Sequence, residues 1–146
     1  MEPQRHQGTK ILGIRGSQCE AIAPETDRLA SASVDSAYKV HSTLGPGLME
    51  SVYEACLCHE LSKRGLPFQR QVAFPVVYDT IRLDAGLRLD LLVAKSIIVE
   101  LKAVEIMHPV FEAQLLSYLK LTGTRLGLLI NFNVPVIKQG IKRIIH

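Results

Sequence analysis

The chain has 146 residues, of which 47% are hydrophobic and 21% charged, with a net charge of +3. These values fit one soluble globular domain and exclude a low-complexity or heavily charged chain. Nothing approaches the ~20 apolar residues of a membrane span, and three cysteines (Cys19, Cys56, Cys58) without CxxC spacing exclude a disulfide framework or zinc site and point to reduced thiols in the cytoplasm.

Residues 1–25 show no sustained periodicity and read as a poorly ordered N-terminal extension, with no apolar run long enough for a signal peptide. A domain over 26–146 follows. Thr26 or Asp27 can cap a first helix, in which Leu29, Ala30, Val34, Ala37, Tyr38 and His41 recur at helical spacing. His41 reads as a helix-end residue. Leu44-Gly45-Pro46-Gly47 ends that helix, and a second runs over about 48–64, closed by Gly65. Glu50 shares a face with Tyr53 and Glu54, and as a first-turn acid it suits the helix dipole.

Residues 68–78 alternate loosely as a strand, with Pro75 on an edge or at a bulge and Asp79-Thr80 as a turn. A short segment with Ile81 and Leu83 precedes the most informative stretch, residues 88–104. That stretch reads as two strands, apolar on both faces, joined by Ala94-Lys95-Ser96. Pro109 opens a third helix, ending at Thr122-Gly123-Thr124, with Val110, Phe111, Leu115 and Leu119 as its buried stripe and Gln114 and Tyr118 sharing a face. Residues 125–132 form a buried strand, and 136–145 an edge strand broken at Gly140. The order gives an α/β sandwich with a mixed sheet. After Glu112 the chain carries Lys120, Arg125, Lys138, Lys142 and Arg143 and no acid, a basic section that could meet nucleic acid.

Three charges interrupt the apolar 88–104 pair: Asp90, Glu100 and Lys102. Glu100 and Lys102, two apart, share a strand face. With a three-residue loop, Val93 opposes Ile97 and Asp90 opposes Glu100, with Cβ atoms ~5 Å apart. A two-residue loop would send Glu100 to the other face. Buried charges must be paired or bind a metal. Two readings therefore stand: a Mg²⁺ site for phosphodiester chemistry, in which Lys102 meets developing phosphate charge, or a salt bridge between Lys102 and the two acids.

Gly47-Leu48-Met49-Glu50-Ser51-Val52-Tyr53 resembles the motif that names the GxxExxY protein family. The resemblance continues through Arg70-Gln71-Val72, Asp90-Leu91-Leu92-Val93, Val99-Glu100-Leu101-Lys102-Ala103, Glu112 to Leu119 and Gly127 to Phe132. That family resembles a branch of the PD-(D/E)xK nucleases. The resemblance implies a restriction-endonuclease-like αβββαβ core, a mixed sheet flanked by helices, and nuclease activity with Mg²⁺ or Mn²⁺. It implies that Asp90, Glu100 and Glu50 hold the metal, that Lys102 completes the catalytic set, and that Gln114 and Tyr118 match the substrate-binding QxxxY motif of RecB-like nucleases. Phe111 stands where such sequences often have histidine, and His108 where threonine is common. The alternative is a module that keeps the fold and binds nucleic acid or protein without cutting. A homodimer is compatible with the sequence, which does not specify the oligomeric state.

Overall fold

The computed structural model describes residues 21–146. Of the expected extension over 1–25, residues 1–20, with Cys19, lie outside the described residues. The described residues fold as α1 (Pro24–Leu44), α2 (Glu50–Lys63), β1 (Phe68–Tyr78), β2 (Ile81–Val93), β3 (Ile97–Lys102), α3 (Pro109–Thr122), β4 (Leu126–Asn131), a 3₁₀ turn (Ile137–Gly140) and β5 (Ile141–Ile145). The strands form one sheet in the order β1-β2-β3-β4-β5. All neighbours are antiparallel except β3 and β4, which α3 connects as a parallel crossover. This is the mixed α/β architecture expected from the sequence.

Two apolar clusters sandwich the sheet. Ala30 and Val40 of α1 and Tyr53, Leu57 and Leu61 of α2 pack on Val93, Val99, Leu101, Leu128 and Ile130. Leu115 and Leu119 of α3 cover Leu89, Ile98 and Leu129 on the other face. The central strands β3 and β4 are buried almost throughout, which explains why residues 97–101 and 126–130 are apolar at consecutive positions rather than alternating.

Several details differ from the sequence expectations. Helix α1 begins at Pro24, with Ala23 as its N-cap. Proline at the first helical position has no N–H to lose and a φ already helical, so Thr26 and Asp27 fall inside the first turn instead of capping it. The segment holding Ile81 and Leu83 is continuous with the strand that carries Asp90, giving a 13-residue β2. Pro75 lies on the edge strand where the β1–β2 register slips between Phe74 and Val76. Val110 is exposed rather than part of the α3 stripe. No helix among the described residues is long and apolar enough to cross a membrane.

Candidate active site

The β2–β3 turn sets the site. Ala94 and Lys95 both take positive φ, 50° and 54°, as a type I′ hairpin turn requires, and the Ser96 N–H donates to the Val93 carbonyl at 2.9 Å. A simple two-residue hairpin would then pair Val93 with Ser96. Instead Val93 pairs with Ile97, Leu92 with Ile98 and Leu91 with Val99. Ser96 is thus an extra residue, held by its hydroxyl on the Ala94 carbonyl. Its insertion gives the loop the odd count that puts Asp90 and Glu100 on one face.

The regular ladder stops at Leu91 and Val99, and the next two residues substitute their side chains for it. The Asp90 N–H donates to Glu100 Oε1 at 3.1 Å, and the Leu101 N–H donates to Asp90 Oδ2 at 2.9 Å. Each carboxylate therefore bridges to the other strand's backbone where β2 leaves β3. Beyond this fork the alternation changes: Leu89 packs under α3, whereas Leu91 and Val93 pack under α1 and α2. Gln71, at the same level of β1, has φ 49°. Its amide donates to Glu54 Oε1 at 2.7 Å, and Arg70 pairs with the same carboxylate at 3.4 Å. Glu54 thereby ties α2 to the sheet beside Asp90.

The electrostatics are those of crowded acids. Glu100 is 5% exposed. Burial first, and then the Asp90 carboxylate, push its carboxyl up to about 8, against the opposing pull of the Asp90 N–H and of Lys102. Desolvation outweighs one backbone bond and one nearby cation. The carboxyl of Glu50, at the start of α2, is raised first by partial burial and then by Asp90 and, more weakly, Glu54, and is lowered by Lys102. The residue as a whole is exposed, so solvent screens much of that effect. The Tyr118 phenol is raised by burial and then by Glu100 and Asp90. The fold therefore brings Glu50, Asp90, Glu100, Lys102 and Tyr118 within electrostatic reach of one another. Gln114 lies one turn before Tyr118, exposed, and its side chain makes no hydrogen bond among the described residues.

The Lys102 ammonium makes no salt bridge to Asp90 or Glu100. It lies over the Phe111 ring, 4.5 Å from the centroid. His108 meets that ring edge-on at 6.5 Å and caps α3 by accepting the Val110 N–H on Nδ1. The cap that a threonine could supply is thus provided by imidazole.

Some residues support the site in ways that the sequence does not reveal. Tyr53 donates to the Gly45 carbonyl at 2.6 Å, accepts the Leu48 N–H at 3.1 Å, and stacks on Phe132 with ring centroids 4.5 Å apart. It ties down the loop before Glu50, where Gly47 takes φ 94°. Asn131, buried at the end of β4, accepts the Val104 and Asn133 N–H groups and donates to the Val104 carbonyl, fixing the chain just after Lys102. A lone amide ending an apolar strand was its signal in the sequence. His41, buried at the end of α1, bonds through Nε2 to the Val134 carbonyl at 2.7 Å. The C-terminal basic section is partly neutralised within the chain, since Lys142 pairs with Glu112 and Arg143 with Asp27.

Asp90 and Glu100 offer two carboxylates of the hard-oxygen kind that Mg²⁺ and Mn²⁺ favour. Their mutual repulsion and burial, which favour a proton on Glu100, would equally favour a cation between them. Among the described residues no three acids, histidines or cysteines already stand as a closed ligand group, so water and phosphate oxygens, or a turned-in Glu50, would complete a shell.

A family model described as the PD-(D/E)XK nuclease superfamily matches residues 27–144. No curated protein and no solved structure matches the chain.

Proposed function

Because the chain belongs to the PD-(D/E)XK nuclease superfamily, we propose that it is a metal-dependent nuclease hydrolysing phosphodiester bonds of DNA or RNA, within the GxxExxY branch. The observation that carries the reading is the Asp90–Glu100 fork. Two carboxylates from adjacent strands, one of them buried, share a face and cross-bridge where the ladder opens. A purely structural role would favour neutral residues there, because burying Glu100 beside Asp90 costs stability.

In this reading Asp90 and Glu100 hold Mg²⁺ or Mn²⁺, with Glu50 approaching from α2. Bound there, the ion would polarise the phosphodiester and lower the pKa of its water. Lys102, with no acid partner among the described residues, meets the negative charge that develops on phosphate. Tyr118, beside the two acids, contacts the substrate backbone or a base, and Gln114 extends the same helix edge as the QxxxY pair. Glu54, Tyr53 and Asn131 keep α2 and the end of β3 in place, so that the reacting groups need little reorganisation.

The test is a cleavage screen with Mn²⁺ on single-stranded, duplex and branched DNA and on RNA. Wild type should cut at least one of them. Asp90→Asn, Glu100→Gln and Lys102→Ala should each remove most cleavage, and doubles should be about as inactive as singles because the residues act as one unit. Full activity in Glu100→Gln would overturn the proposal.

A further inference from the structure

The Lys102 ammonium faces a choice of partners. Glu100 is two residues away on the same strand face, and the electrostatic influence of Lys102 reaches both Glu100 and Glu50. In an apolar setting an ion pair with such acids would be the expected resting place for a lysine. Yet the ammonium rests on the face of Phe111. The ring is itself held: Phe111 packs beside Leu115 and Leu119, and the His108 imidazole stands edge-on against it. A ring face attracts a cation without supplying a negative charge or an acceptor that must be given up later.

We propose that Phe111 is a positioning residue that acts through Lys102, its ring holding the ammonium off the Asp90–Glu100 pair so that the acids stay open to a divalent cation and the lysine stays open to phosphate. The inference rests on the nuclease reading given above. It assigns Phe111 a role that aliphatic bulk cannot fill, since leucine would pack against Leu115 but offer no ring face. Without the ring, the ammonium would settle on the acids and compete with the metal for them. Tryptophan, the strongest cation–π partner, should preserve the arrangement.

The test is a mutant cycle read first by Mn²⁺ binding to the metal-free protein, using calorimetry, and then by cleavage. Phe111→Leu should weaken Mn²⁺ binding roughly three- to thirty-fold, the span set by cation–π strengths. Phe111→Trp should bind Mn²⁺ within about twofold of wild type, since it keeps a ring face. In a Lys102→Met background, Phe111→Leu should change Mn²⁺ affinity hardly at all, because no ammonium remains to compete. The ε-methylene protons of Lys102 should be shifted upfield by the ring in wild type and Phe111→Trp, and not in Phe111→Leu. An equal loss of affinity from Phe111→Leu with and without Lys102 would make Phe111 a structural residue and overturn the inference while leaving the nuclease reading intact. So would an unshifted Lys102 signal in wild type. Absence of Mn²⁺ binding by wild type would overturn both.

Discussion

Burial of Glu100 makes the stability of the metal-free protein fall as pH rises. The ordinary value for this carboxyl is 4.5, and the fold pushes it up to about 8. Between these two values the folded protein holds a proton on Glu100 that the unfolded chain has released. Stability decreases wherever the folded state binds more protons. The contribution is therefore fully present below about pH 4.5 and is lost as pH rises through about 8. At about 1.4 kcal/mol for each pH unit between the two values, the loss amounts to roughly 4–5 kcal/mol. That is a large fraction of the ~5–15 kcal/mol that holds a domain together. Glu100→Gln removes the ionisation and keeps an oxygen that can accept the Asp90 N–H. In urea titrations from pH 4 to 9 without divalent metal, wild type should weaken steadily above pH 5, while Glu100→Gln should stay nearly level and exceed wild type by several kcal/mol at pH 9. Mn²⁺ at a hundred times its Kd should restore about 2.7 kcal/mol to wild type and almost nothing to the variant. A wild-type profile that is flat or rising between pH 5 and 9, or a variant that follows the same slope, would refute the reasoning.

Three further outcomes are expected. Deleting Ser96 should return the β2–β3 turn to even parity and send Glu100 to the other face. Because β3 is apolar on both faces, the chain should still show native-like far-UV circular dichroism but lose the Mn²⁺-induced rise in melting temperature. Tyr53→Phe removes the bonds to Gly45 and Leu48, should cost ~1–3 kcal/mol in urea unfolding, and should slow cleavage through misplacement of Glu50. Gln114→Ala and Tyr118→Phe should weaken substrate binding and cleavage by about 0.5–1.5 kcal/mol each, the worth of the amide or phenol hydrogen bond removed, while leaving the Mn²⁺ melt shift unchanged; if either abolishes that shift in a folded protein, the residue belongs among the metal ligands.

The sequence by itself determined the order of elements and the position of the charged interruption, because both are local properties. Helical spacing, the Gly-Pro-Gly break after Leu44, Pro109 at the start of α3 and two apolar runs around Ala94-Lys95-Ser96 can each be read within a few residues. The pairing of Asp90 with Glu100 was also legible, since strand parity follows from loop length alone, and the observed register of Val93 with Ile97 agrees. Other features needed the tertiary structure because they depend on which groups meet across long separations. Parity alone places Leu89 with Leu91, but β2 leaves β3 at Asp90 and Leu89 packs under α3. Charge complementarity alone would pair Lys102 with the acids, but docking of α3 brings Phe111 to the ammonium instead. Lys142 and Arg143 of the C-terminal basic section are unpartnered only along the chain; folding delivers Glu112 to Lys142 and Asp27 to Arg143, neutralising part of that section. The shift in Glu100 likewise exists only after folding, because both burial and the approach of Asp90 are consequences of the packed sheet.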